Sequence, residues 1–193
     1  MRIVAGRHRG RRLAAPEDQS IRPTADRTRE ALFSSLESAR FGKEGGVVRD
    51  SAVLDAFAGT GALGLEALSR GAATAVFMET DRTAQNLCRK NIRALQEEDH
   101  ATVLSCDALH PPTRPQGDGS DSGACDLVLM DPPYGEDLAP SVLAALASAG
   151  WIAPGALVVV ELEKKERFQA PESFEELERR SYGRAALVFL RFT

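Results

Sequence analysis

The sequence predicts an α/β protein: a seven-stranded, mostly parallel sheet with helices on both faces, plus a small basic β-hairpin at the N-terminus. Three observations carry this. From Ala52 onward, short apolar runs alternate with stretches whose apolar residues recur at helical spacing, the pattern of a parallel sheet covered by crossover helices. The first of those runs leads into Asp55-Ala-Phe-Ala-Gly-Thr-Gly61, a glycine loop that opens a helix, the context such loops need to bind a ligand. Finally, Gly6 and Gly10 bracket a turn between Ile3-Val4 and Leu13, each apolar enough to bury one side of a hairpin.

The elements follow in order. Arg2 to Ala5 and Arg11 to Leu13 are the hairpin strands, and Ala14 to Ser20 is a linker. Ile21-Arg-Pro-Thr-Ala-Asp-Arg27 leads into a helix of about 13 residues, with Leu32, Phe33, Leu36 and Ala39 at helical spacing, Thr24 or Asp26 as cap, and Gly42, Gly45 and Gly46 ending it. Strands are expected at Ala52–Asp55, Thr74–Met78, Ala101–Ser105, Asp126–Met130 and Leu157–Val160, and helices at Ala62–Arg70, Thr83–Leu95 and Leu138–Ala149. Leu177–Ser181 and Ala185–Phe192 form a closing hairpin. The segment from His110 to Cys125, rich in Pro, Gly, Ser and Asp, reads as a disordered loop.

At 193 residues and 43% hydrophobic composition, the chain suits one well-buried domain, residues 21–193, with residues 1–20 as a basic appendage. No apolar run approaches the roughly 20 residues that span a bilayer, and Met1 to Arg7 lacks the apolar core of a signal peptide, so a cytoplasmic protein is expected. Cys88, Cys106 and Cys125 are odd in number and far apart, and the histidines are scattered, so neither a disulfide nor a metal is expected. The charge is uneven. Residues 1–29 hold eight arginines against three acids, a net +5 in a chain of −4, which leaves −9 on the rest. Arg2, Arg7, Arg9, Arg11, Arg12, Arg22 and Arg27 are therefore candidates for gripping a phosphate backbone, which their planar forks match; a solvated charged face is the alternative for those in the helix.

The chemistry is most legible at Leu127-Val-Leu-Met-Asp-Pro-Pro-Tyr134. An apolar strand runs into two prolines that cannot continue a ladder, so Asp131 sits at a strand's carboxyl end. Its carboxylate and the carbonyls of Asp131 and Pro132 form a patch of acceptors with no backbone donor from residues 132 and 133. Such a patch suits an amino group, and Tyr134 offers a face on which a planar ring can stack. An amino group on a nucleobase satisfies both.

The glycine loop supplies the other reactant. Gly59 and Gly61 permit a tight turn and close approach of a ligand. Asp55, just before them, would repel a dinucleotide's pyrophosphate and would welcome an ammonium. Glu79 ends the second strand, where a carboxylate accepts ribose hydroxyls, and Asp107 ends the third, where it can meet an adenine amino group. Each acid alone could be a solvated strand terminus. Three on successive strands beside one loop describe a ligand with an amine, a ribose and an adenine, which is S-adenosylmethionine. A methyl donor there and an amino group at Asp131 define methyl transfer to an exocyclic nitrogen.

The chain resembles the RsmD family of small-subunit ribosomal RNA guanine-N2 methyltransferases. The stretches that carry this are Arg2-Ile-Val-Ala-Gly6 with Arg9-Gly-Arg-Arg-Leu13, Ile21 to Phe33, Val53 to Gly61 and Asp131-Pro-Pro-Tyr134. The resemblance implies a class I methyltransferase fold with strand order 3-2-1-4-5-7-6. It also implies S-adenosylmethionine held by Asp55, Phe57, Gly59, Gly61, Glu79 and Asp107, catalysis at Asp131, Pro132 and Tyr134, and ribosomal RNA or the small subunit as partner of a monomer. Other readings stay open from the residues: an adenine-N6 methyltransferase on DNA or RNA, which would use the same four residues; a nicotinamide-dependent dehydrogenase, which leaves Asp-Pro-Pro-Tyr idle; and a non-catalytic RNA-binding protein.

Overall fold

The computed structural model describes residues 1–16, 23–41, 46–114 and 123–193, with the side chains of 23–26 outside that description. Arg22, Gly42, Gly45, the Thr24 and Asp26 caps and most of the polar loop before Cys125 thus fall outside the described residues. Helix α1 spans Pro23–Leu36. Among the described residues seven strands follow, β1 Ala52–Asp55, β2 Thr74–Glu79, β3 Ala101–Ser105, β4 Cys125–Met130, β5 Ile152–Glu163, β6 Phe174–Tyr182 and β7 Ala185–Phe192. Helices α2 Ala62–Ser69, α3 Arg82–Leu95 and α4 Ala139–Ser148 connect them. The sheet order is β3-β2-β1-β4-β5-β7-β6, with β7 antiparallel to β5 and β6 and the other pairs parallel. No helix among the described residues is long and apolar enough to cross a membrane.

Alternation along the strands divides the core. Val53, Leu127, Leu129, Val159 and Phe189 pack with α1, α2 and α3, while Leu54, Val128, Met130, Val158 and Val160 pack with Val142, Leu143 and Leu146 of α4. Two boundaries differ from the sequence expectation for a physical reason. Helix α1 stops at Leu36, before the glycines, because the chain turns there: Ser38 Oγ donates to the Ser35 carbonyl (2.6 Å) and Val47 N–H to the Leu36 carbonyl (2.8 Å). Strand β5 is much longer than Leu157–Val160. Pro154 and Gly155 are absorbed where the β4–β5 register shifts, and the far end continues through Glu161 to Glu163 because β7 pairs with it as far as Ala185.

The N-terminal hairpin is bonded into the body of the protein. Arg2 bridges Arg12, Ile3 N–H donates to the Arg11 carbonyl (2.9 Å), and Ile3 and Leu13 join the core cluster of α1, α2 and α3. Its anchor is Glu66, wholly buried in α2, whose carboxylate accepts the N–H groups of Val4 (2.8 Å) and Ala5 (2.9 Å) and pairs with Arg70 (2.8 Å) and Arg29 (3.6 Å). Gly6 passes so close that a Cβ there would lie 1.9 Å from the Ser69 carbonyl oxygen, and its φ is +79°. A second buried acid, Glu97, takes both arms of the Arg7 guanidinium and the His8 ring.

Removing Glu66 takes the buried carboxylate away from two buried guanidinium groups and two backbone donors. Glu66→Ala should cost about 3–5 kcal/mol of folding stability, read as a drop in the denaturation midpoint; a loss below about 1 kcal/mol would show that the network does not hold the hairpin.

Candidate active site

At the carboxyl ends of the parallel strands lies a cleft of about 590 Å³, lined by Phe57, Met78, Glu79, Cys106, Asp107, Leu109, Asp131, Pro132, Tyr134 and Glu136 among others. Ligands collect at this end of open α/β sheets. Six residues named from the sequence, Phe57, Glu79, Asp107, Asp131, Pro132 and Tyr134, thus share one wall system. Asp55, Gly59 and Gly61 lie next to it.

Asp55 closes β1 and is 1% exposed. One carboxylate oxygen accepts the Gly64 N–H (2.9 Å) in the first turn of α2, while Oδ1 is buried with no hydrogen-bond partner. Burial pushes its pKa up to about 7, against the lowering effect of the Gly64 hydrogen bond and with a further push from Glu79. Glu79 closes β2 and ties the glycine loop to the sheet, accepting the N–H groups of Gly59 (2.7 Å) and Asp81 (2.8 Å). The two glycines divide their work. Gly59 has φ +53° and open space where a side chain would stand; Gly61, φ +85°, packs so tightly that a Cβ would lie 2.8 Å from Cys88 Sγ. Only Gly59 offers the close approach expected of both.

Asp107 does not end β3, which stops at Ser105. It sits two residues on, in a turn that its own side chain organises by accepting the Leu109 N–H (2.9 Å), with His110 Nδ1 3.3 Å away. Its side chain remains 45% exposed.

Asp131 follows β4 directly. Solvent reaches it through the cleft, but the surrounding protein strips away much of its water. That desolvation raises its pKa to about 7, helped by the charges of Glu161 and then Asp55. Pro132 is buried and Tyr134 is 51% exposed. The Tyr134 hydroxyl donates to Glu161 Oε1 (2.9 Å). Glu161 was missed by sequence reasoning; the signal was present, since an acid directly follows the apolar run Leu157–Val160 as Asp131 follows Leu127–Met130. Its own pKa is raised by burial and opposed by the Tyr134 hydrogen bond. The cleft therefore gathers acceptors and suits ligands that bring N–H or O–H donors or positive charge.

The described arginines among these candidates do not act as one set. Arg2, Arg9 and Arg27 line a shared recess of about 420 Å³ between the hairpin and α1. Arg7 and Arg11 instead turn onto the C-terminal end of α3 and the residues just beyond it, Arg7 to Glu97 and Arg11 to the Ala94 carbonyl (2.8 Å), while Arg12 is exposed.

Comparison with known proteins agrees with this architecture. A family model described as Conserved hypothetical protein 95 matches residues 1–191. The ribosomal RNA small subunit methyltransferase D of Haemophilus influenzae is 35% identical over 184 residues, covering 95% of this chain and 89% of that protein. Its namesake in Escherichia coli K12 is 38% identical over 163 residues, 84% of this chain and 75% of that one. The solved structure of a putative methyltransferase from Escherichia coli, yhhF, matches with a TM-score of 0.78 at 31% identity, over 100% of this chain and 97% of the other. With a match spanning nearly the whole sequence and a shared fold, the chain belongs to this family, the RsmD methyltransferases.

Proposed function

We propose that the protein transfers a methyl group from S-adenosylmethionine to the exocyclic N2 amino group of a guanine in small-subunit ribosomal RNA. The observation that carries this is the sharing of one cleft by Asp131 and Pro132, acceptors suited to an amino group, with Glu79 and Asp107, acceptors suited to a nucleoside. The methyltransferase relatives named for ribosomal RNA support the substrate class.

The residues fit the cofactor. The partnerless Asp55 oxygen suits an ammonium. Glu79 Oε2, which accepts the Gly59 N–H, keeps a second lone pair for a ribose hydroxyl, Asp107 takes the adenine amino group, Phe57 and Leu109 offer apolar walls, and Gly59 leaves room beside the loop. When bound, the cofactor supplies an electrophilic methyl carbon on a sulfonium. Asp131 and the Pro132 carbonyl hold the guanine amino group so that its delocalised lone pair points at that carbon, and alignment contributes most of the acceleration. As the amino nitrogen took the methyl group that the cofactor would supply, one amino proton would leave to Asp131 or water. Tyr134 stacks on the base, which must be unpaired or turned out to reach the cleft. Arg2, Arg9 and Arg27 meet phosphates. In this reading the protein works as a monomer, on ribosomal RNA or the small subunit, in the cytoplasm.

Labelled cofactor and small-subunit RNA lacking the modification should yield N2-methylguanosine; N6-methyladenosine, or no nucleoside product, would overturn the reading. Asp131→Ala should lower kcat by about 10²- to 10³-fold with cofactor affinity nearly unchanged. Because Asp55 titrates near 7 and must be ionised to hold an ammonium, cofactor affinity should rise as pH increases through about 7, with proton release on binding below that point. Calorimetry in two buffers checks this, and an equal pH dependence in Asp55→Asn would remove Asp55 from the explanation. Arg9→Ala and Arg27→Ala should each weaken RNA binding and reduce its salt slope by about 1; an unchanged slope would place the RNA elsewhere.

A further inference from the structure

We propose that Glu161 selects guanine over adenine, accepting the ring N1–H of the base whose 2-amino group lies on Asp131 and Pro132. This rests on the functional reading above and deepens it, since Asp-Pro-Pro-Tyr by itself accepts an amino group from either purine.

Three observations carry it. Met130 pairs with Val160 in the parallel β4–β5 ladder, so the next residues, Asp131 and Glu161, stand side by side at the strands' carboxyl ends, about 4.8 Å apart in backbone terms. Both continue the alternation of Leu129 and Val159, so both carboxylates face the same side of the sheet. Glu161 also bonds the Tyr134 hydroxyl through Oε1, which leaves Oε2 for a ligand beside the ring on which the base stacks. Two adjacent acceptors need two adjacent donors. The guanine edge supplies them as N1–H and the 2-amino group, whereas adenine places the N1 lone pair next to its amino group. That lone pair would face a carboxylate, and a site built around a hydrogen bond rejects such a ligand strongly.

The test uses small-subunit RNA in which the nucleotide modified by the wild-type enzyme, once mapped, is replaced through ligation by 2,6-diaminopurine. That base keeps the 2-amino group but has a lone pair at N1. Wild type should prefer guanine by at least about 100-fold in kcat/KM. Glu161→Gln, whose amide oxygen still accepts from Tyr134 while its N–H₂ faces the base, should lower turnover of guanine, raise that of diaminopurine, and shrink the ratio at least about tenfold. Tyr134→Phe should leave the ratio unchanged. Equal losses on both bases in Glu161→Gln, or an equal shift of the ratio in Tyr134→Phe, would reduce Glu161 to a support for Tyr134 and overturn the proposal. Should wild type form no N2-methylguanosine on the guanine substrate, the functional reading itself falls; N2-methylguanosine with an unmoved ratio strikes Glu161 alone.

Discussion

Mutual repulsion among carboxylates at one edge of the sheet is the constraint around which this structure is organised. Asp55, Glu79, Asp131 and Glu161 converge there from four neighbouring strands. Like charges about 5 Å apart at an effective dielectric near 20 repel by about 3 kcal/mol. The fold meets this cost with directed donors: Gly64 N–H on Asp55, Gly59 and Asp81 N–H on Glu79, and the Tyr134 hydroxyl on Glu161. It also lets protons return, since burial first, and the neighbouring carboxylates after it, push Asp55 and Asp131 up to about 7. The position of the glycine loop and the start of α2 are both consequences, because each is where an acid found its donor.

The other side of α2 solves the inverse problem. Arg29 and Arg70 are nearly buried, and Glu66 between them turns two costly cations into the fastening of the N-terminal hairpin. Arg70 also lies over the Phe33 ring and reaches Glu37, so α1 is fixed by the same charge cluster. Charge is thus used in two ways, confined as acceptors where a ligand would enter and cancelled where the chain must hold itself together.

The strands, the helices and three of the acids at the strand ends were legible because they obey short-range rules, whereas the strand order came only with the family resemblance. Alternation, helical spacing and a Pro-Pro stop place Asp55, Glu79 and Asp131 at strand ends with no knowledge of their partners. What escaped depends on pairing across the chain. Glu161 lies inside a strand whose end is set by β7, not by its own apolarity. Glu66 and Glu97 sit within or just after ordinary helices, and only the folded chain brings them to Val4, Ala5 and Arg7, between 61 and 90 residues away in sequence. For the same reason the basic hairpin looked like one uniform grip, although Arg7 and Arg11 are committed to α3.

The hairpin lies lengthwise along α2. At its open end Asn91 clasps both Ala14 and the Thr60 carbonyl at the helix's start, and at its turn Gly6 presses on Ser69 at the helix's finish. Eight residues of helix make that distance about 12 Å. The arginine-lined recess lies on the hairpin's other flank, against α1. The helix thus sets the hairpin's span, holding its open end and its turn a fixed length apart.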